Sequence, residues 1–274
     1  FAKLVKGYVG FLQGTGKSLS TISSYQGDLA LFEEYLRAKK KDFYALTQRD
    51  FSSYQAWLEQ QGLRTNTRRR KILSAKALVK YAVSRKKLKP SSIQFVKAPD
   101  RLERLPWIPT PSEWEKVNKE AEPKSPLGRR NALAVRLLAE TGMTAAELCG
   151  LRWEQWDGNA LSLEGKKPRK LKLSAEASRL LGEWRELHAG KFLFPGFNRH
   201  GITSERMTTR GLELYFRGLA RAAGFRLLKP KTLRHFAVAS WLRENLPEAE
   251  IHRRLGVHPS YSLDAYRKHV QTRG

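Results

Sequence analysis

Thr141-Gly142-Met143-Thr144-Ala145-Ala146-Glu147-Leu148-Cys149-Gly150-Leu151-Arg152-Trp153 lies between two stretches of helical apolar spacing. The pattern predicts a helix over 126–140 just before it and a short one over 145–151 within it. Thr144 with Glu147 three residues later is a capping box: the hydroxyl accepts a free N–H of the first turn while the carboxylate reaches back to the cap's own N–H. Read by itself, the stretch stops one helix and starts the next, inside a domain rich in helices.

Working outward toward the C-terminus, 160–164 and 170–173 alternate like two short strands, joined by the basic turn Gly165-Lys166-Lys167-Pro168-Arg169. Helices are predicted beyond them over 175–187, 209–223, 232–244, 247–255 and 262–269. Toward the N-terminus, Ser112 with Glu115 has the pattern of a further capping box, and 96–110 holds three prolines with no period, as a linker does. Ahead of it four amphipathic segments fall at 4–12, 20–36, 47–60 and 65–83; the second carries Ile22, Tyr25, Leu29, Phe32 and Leu36 on one stripe. The expected fold is mainly α. It has a four-helix domain over 1–95, a linker over 96–110, and a mixed, mostly α domain over 111–274 with a small β-hairpin or sheet.

The charge points to a partner. The 274 residues hold 52 Lys+Arg against 26 Asp+Glu, a formal charge of +26 with pI near 10.4, yet 41% of them are hydrophobic, including 7 Trp, 9 Tyr and 12 Phe. Such a chain buries cores, so the charge sits on folded surfaces. Residues 1–95 carry 19 Lys+Arg and 6 Asp+Glu, a charge of +13, which leaves +13 for 96–274. Both halves then face one polyanion, and nucleic acid fits ahead of an anionic membrane because no basic helix shows a strongly apolar aromatic face. No apolar run approaches the roughly 20 residues of a membrane span, and no leader is visible, so the expected location is cytoplasmic and nucleoid-associated. What precedes Phe1 is left open. The lone Cys149 excludes an internal disulfide framework and a cysteine-rich zinc site.

Within 65–83 lies Arg68-Arg69-Arg70-Lys71, then Lys76 and Lys80, and Arg85-Lys86-Lys87 follows. A solvated helix face is the ordinary meaning of a charge run. Like charges on helical neighbours cost stability unless a partner neutralises them, which makes phosphate contact the expectation here. In the second domain there is no Gly-rich phosphate loop, His-Glu-x-x-His, Gly-x-Ser-x-Gly or carboxylate cluster at metal spacing. There are instead basic groups and a phenol: Lys166 at a hairpin tip, Arg234 and His235 at the head of a helix, and Tyr266 beyond Gly256. Arginine can grip phosphate oxygens, lysine can protonate a leaving oxygen, and a phenol can attack phosphorus. By spacing alone, a lone Tyr such as Tyr266 on a terminal helix is more often a core residue, and a hairpin lysine such as Lys166 is usually just solvated.

Together, Thr141-Gly142-x-x-x-x-Glu147-Leu148-x-x-Leu151-Arg152-Trp153, Glu164-Gly165-Lys166-Lys167, Leu193-Phe194-Pro195, Lys231-x-Leu233-Arg234-His235 and Leu255-Gly256 ten residues before Tyr266 resemble the catalytic domain of the tyrosine recombinase family, phage integrases and Xer-like proteins. The first domain is similar to that family's SAM-like core-binding domain, with Ser18-Leu19-Ser20, Tyr25 and Leu29 opening its second helix. The resemblance covers nearly the whole chain and implies a two-domain clamp on double-stranded DNA that needs no metal or other cofactor. It implies Tyr266 as the nucleophile of a 3′-phosphotyrosyl linkage, Lys166 as the donor to the leaving 5′ oxygen, and Arg234 as the second of two phosphate-gripping arginines. Lys231 stands where the family has His or sometimes Lys. Glu147 matches a supporting acidic position, and His235 a supporting one beside Arg234.

Two positions depart from the pattern. Thr144 stands where the first arginine is expected, and Val257 where His or Trp is expected, with His258 one residue on. Losing one preorganised oxyanion donor slows a reaction about 10²–10³-fold. Arg136 and Arg152 are the nearest alternatives in sequence, but Arg152 lies about 12 Å from Thr144 along a helix. The chain given also ends eight residues after Tyr266, short for the C-terminal segment that family members exchange when they self-associate on DNA. The leading expectation is a DNA-clamping protein, catalytically impaired, that acts as an architectural, regulatory or partner subunit beside a second recombinase. The alternative is an active, divergent recombinase or integrase of a mobile element, and an RNA-binding helical protein is a third reading. Helices 65–83 and 209–223 are the expected readers of the major groove.

Overall fold

A computed structural model describes residues 1–88, 97–100, 105–121, 125–165, 167–188 and 190–273. The chain divides into two compact units, Phe1–Glu103 and Arg104–Gly274.

Among its described residues the first unit holds four α-helices: α1 (Ala2–Gly14), α2 (Leu19–Ala38), α3 (Gln48–Gln60) and α4 (Thr65–Ser84). Ser18 caps α2 by accepting the Thr21 N–H, and Thr47 with Asp50 forms a capping box on α3. The apolar stripes meet in an aromatic core in which Phe32, Tyr35 and Tyr54 are almost fully buried, the Phe32 and Tyr54 rings 4.8 Å apart. One buried carboxylate ties α2 to α4. Asp28 is 2% exposed and accepts from Arg70, from Lys71 Nζ at 3.0 Å and from Ser74 Oγ at 2.9 Å. A buried ion that loses its charge leaves its partners uncompensated. Asp28→Asn should therefore destabilise this unit by about 2–3 kcal/mol, read as a lower midpoint in urea with the second unit's transition unchanged. An unaltered midpoint would show that Asp28 is dispensable.

The second unit is built on a helix apolar nearly all round. Its elements are α5 (Pro111–Glu120), α6 (Pro126–Thr141), α7 (Ala145–Gly150), β1 (Ala160–Leu163), β2 (Arg169–Lys172), α8 (Ala175–Leu187), β3 (Pro195–Asn198), β4 (Gly201–Arg206), α9 (Thr209–Ala222), α10 (Pro230–Arg243), α11 (Glu248–Leu255) and α12 (Asp264–Arg273). In α10, Leu233, Phe236, Ala237, Val238, Ala239 and Trp241 are all buried, as expected of a central helix. It packs on α6 and α12. Strands β1 and β2 pair antiparallel with Ala160 opposite Lys172 and Leu163 opposite Arg169. No helix among the described residues is long and apolar enough to cross a membrane.

The fold is the mainly α arrangement expected, with local differences. Helix α5 starts at Pro111 under a Thr110–Glu113 capping box, two residues before the Ser112–Glu115 pattern, because proline suits the first helical position and lacks the N–H left over there. The hairpin β3–β4 has no alternating signal: Phe197 and Ile202 are the only large apolar side chains in its strands. Ile108, read as linker, is fully buried in the second unit's core, and the Trp107 ring lies 5.0 Å from that of Phe225.

Candidate active site

Two helix C-termini meet at the site. Helix α6 ends at Gly142 and α11 at Gly256, both in the left-handed region at φ 61°. That conformation favours glycine. From α10, Arg234 donates to the Gly142 carbonyl and, at 2.8 Å, to the Leu255 carbonyl. A guanidinium is a natural partner for carbonyls at the negative ends of two helix dipoles. Burial lowers its pKa, and the charge of Arg169 pushes the same way against the pull of Glu147.

Tyr266, on α12, is 3% exposed, and its Oη lies 2.6 Å from His235 Nδ1 and 3.3 Å from Tyr261 Oη. Burial, then the hydrogen bond to Tyr261, drives the phenol's pKa far up, and Arg234 offsets only part of this. Burial, then the charges of Lys231 and Arg234, pulls His235 down to about 4. At neutral pH the pair is therefore a phenol and a neutral imidazole. The phenol oxygen lies within hydrogen-bond reach of both the His235 Nδ1 and the Tyr261 hydroxyl.

Glu147 sits at the entrance of α7. It accepts from the Thr144 N–H at 2.7 Å, from Thr144 Oγ1 at 2.9 Å, and from Arg169 Nη1 at 2.7 Å. Burial would raise its carboxyl, but the hydrogen bonds from Arg169 and Thr144 hold it below the usual range. Thr144 spends both polar groups on the cap.

A model of the phage integrase family matches residues 109–273, and one of the phage integrase N-terminal SAM-like domain matches 5–86. The chain belongs to the phage integrase family. Tyrosine recombinase XerD of Listeria monocytogenes serotype 4b (strain F2365) is 25% identical over 244 residues, covering 84% of this chain and 81% of that protein. Two solved structures share the fold. One is lambda integrase (75–356), a dimer bound to a COC′ core site, with TM-score 0.75, 16% identity, and coverage of 100% of this chain and 96% of that one. The other is the XerH site-specific recombinase bound to a palindromic difH substrate, a post-cleavage complex, with TM-score 0.76, 20% identity, and coverage of 93% and 77%.

Against the integrase-family pattern, the structure brings Tyr266, Arg234, His235 and Glu147 into one neighbourhood. Lys231 is exposed on the first turn of α10, near enough to depress His235. Lys166 lies outside the described residues. Val257 packs against the core, and His258 is exposed with its Nδ1 2.8 Å from Ser260 Oγ. Arg152 pairs with Glu154 at the surface, and Arg136 lines a cleft with Trp114 and Glu140. In the first unit Arg68 pairs with Glu59, Arg69 donates to the Pro99 carbonyl at 2.6 Å, and Arg70 and Lys71 hold Asp28. Lys76 is half-buried, Lys80, Lys86 and Lys87 are exposed, and Arg85 lies over the Tyr81 ring. Sequence reasoning missed Arg169 and Tyr261. Arg169 was visible only as one more basic residue of the hairpin turn, 22 residues from the Glu147 carboxylate it holds.

The His235 pKa has a consequence for stability. In the unfolded chain this imidazole takes up a proton near its ordinary 6.5, in the folded chain only near 4. Between these values the unfolded state binds more protons, so stability is full above pH 6.5 and falls as the pH drops toward 4, by on the order of 2–3 kcal/mol. Glu147, held low, adds to the loss at the acid end. Urea unfolding at pH 7 and pH 4.5 should show the drop, and His235→Gln should shrink it. A drop of equal size in that variant would place its origin elsewhere.

Proposed function

We propose that this chain binds duplex DNA and transfers a strand to Tyr266 as a site-specific recombinase. The observation that carries the reading is the meeting of the Tyr266 phenol, at 2.6 Å from a neutral imidazole, with the half-buried Arg234. Each Nη of Arg234 keeps a second hydrogen beyond the carbonyl it holds, so the guanidinium can still donate to both non-bridging oxygens of a phosphodiester. In the step itself, Tyr266 Oη bonds to phosphorus and the bond to the 5′ oxygen breaks. The strand keeps a 3′-phosphotyrosyl ester, and the leaving oxygen takes a proton to become a 5′-hydroxyl. His235 Nδ1, 2.6 Å from the phenol oxygen, is placed to take its proton, and an arriving phosphate anion raises its basicity. Lys166, on family pattern, supplies the proton to the 5′ oxygen, and exposed Lys231 adds a donor at the head of α10.

The balance of +26 supports salt-sensitive affinity for DNA, and Lys80, Lys86 and Lys87 are exposed for phosphate contact. Arg68, Arg69, Arg70 and Lys71 also serve the fold, so they tune a basic surface they do not supply alone. The dimer seen for lambda integrase on its core site supports a second copy, or a second recombinase, on the same duplex. Work on a chromosome or mobile element puts the chain with the nucleoid in the cytoplasm.

A second reading, a DNA-clamping partner without catalysis, draws on two observations: Thr144 offers no guanidinium, and Tyr266 is buried in the free chain. The two part in one experiment. A nicked suicide duplex that the chain binds should trap a covalent protein–DNA adduct. Binding without an adduct would leave the second reading.

A further inference from the structure

Residue 144 cannot grip a phosphate, but a guanidinium occupies its neighbourhood. Arg169, the first residue of β2, has a side chain only 3% exposed. Its Nη1 donates to Glu147 Oε1 at 2.7 Å and to the Lys167 carbonyl at 3.1 Å, and its Nε donates to the Arg254 carbonyl at 2.7 Å. Arg234 holds the next carbonyl, that of Leu255. Two guanidiniums from different elements thus grip consecutive carbonyls at the end of α11. The chain makes room for this: a β-carbon on Gly256 would lie 3.0 Å from Arg169 Nη1 and 3.2 Å from its Cζ.

One donor is left over. Arg169 Nη2 is buried and has no hydrogen-bond partner among the described residues. A buried charged donor without a partner is costly, and protein structures rarely keep one without a use. The charges are also unbalanced, since Arg169 and Arg234 face the single carboxylate of Glu147, and one phosphodiester anion would restore neutrality. Each guanidinium is close enough for the charge of Arg169 to depress the proton affinity of Arg234.

We propose that Arg169 is the second phosphate-gripping guanidinium of this site, supplied from β2 in place of residue 144, with Nη2 as the donor reserved for a non-bridging oxygen of the scissile phosphate. The assignment rests on the reading that a phosphodiester docks beside Arg234 and Tyr266. In the free chain Nη2 is covered, so it engages only as the phosphate arrives. Glu147 then positions Arg169 by holding Nη1, and Thr144 positions Glu147.

Crystals of the chain soaked in sodium tungstate test the site without requiring activity. An anion within hydrogen-bond reach of both Arg169 Nη2 and Arg234 is expected. An anion on Arg234 alone would overturn the role of Arg169, and none at either would overturn the underlying reading as well. The kinetic arm uses Arg169→Lys and Arg169→Ala on a nicked suicide duplex. Adduct formation should slow about 10²–10³-fold with duplex affinity within a few-fold of the parent. On a duplex whose scissile phosphate is a methylphosphonate, lacking the charged oxygen, the penalty for Arg169→Ala should largely vanish. Equal penalties on both duplexes would assign Arg169 a structural role only. Arg169→Lys keeps a cation beside Glu147, so the comparison stands if the alanine variant fails to fold.

Discussion

Tyr266→Phe is expected to abolish covalent capture of a nicked duplex while leaving duplex affinity within about two-fold of the parent. The substitution removes a single oxygen from a side chain that is 3% exposed, so the ring continues to fill its place between α10 and α12. The loss is that of the proposed nucleophile, and among the described residues the nearest other phenol is that of Tyr261, whose hydroxyl lies 3.3 Å away on a residue 38% exposed at the turn before α12. A hydrogen bond of this kind contributes about 1 kcal/mol to stability, so the variant remains folded. Denaturing gel electrophoresis of trapped adducts and a parallel mobility-shift titration measure the two quantities. Adduct persisting at the parental level in Tyr266→Phe would move the nucleophile elsewhere, with Tyr261 the first to examine. Reduced affinity in step with lost adduct would mean that the phenol helps bind DNA.

Gly142→Ala should be the most damaging small substitution in the second unit. At φ 61° an alanine costs about 1–2 kcal/mol. Its β-carbon would also lie 2.9 Å from the Trp241 ring, 3.4 Å from the Ala237 β-carbon and 3.4 Å from Leu255. Overpacking of a rigid core adds about 1–3 kcal/mol. A total near 3–4 kcal/mol lowers the melting temperature of a unit this size by roughly 10 °C. The effect reaches the site, because the Gly142 carbonyl receives Arg234 and the crowded Leu255 carries the other carbonyl that Arg234 holds. The variant should thus lose adduct formation at temperatures where it is still folded. A melting temperature within 2 °C of the parent would show that Trp241 shifts aside freely.

Helices were the legible part of this chain. Their apolar spacing and caps are local, so 175–187 could be placed to the residue and most others within two. The hairpin β3–β4 was not legible, because Pro195–Asn198 and Gly201–Arg206 carry too few apolar residues to alternate; it is held by its own pairing and by Arg130, which donates to the Pro195 carbonyl and lies over the Phe197 ring. The motif order named Tyr266, Arg234, His235 and Glu147 from sequence, since each recurs at a set distance from a recognisable neighbour. Arg169 had no such marker.

The sequence by itself determined the helical content, the division of charge between the halves, the family, and a threonine at position 144 where the resemblance implies an arginine. Each depends on residue type and short-range order. Tertiary structure alone decided that Tyr266 rests against His235 and that Arg169 reaches Glu147 and the Arg254 carbonyl. Those contacts span 22 to 85 residues and exist only because two glycine-ended helices, a hairpin base and α10 converge. Arg169, far from Thr144 along the chain, meets in space the same Glu147 carboxylate that caps α7 with Thr144.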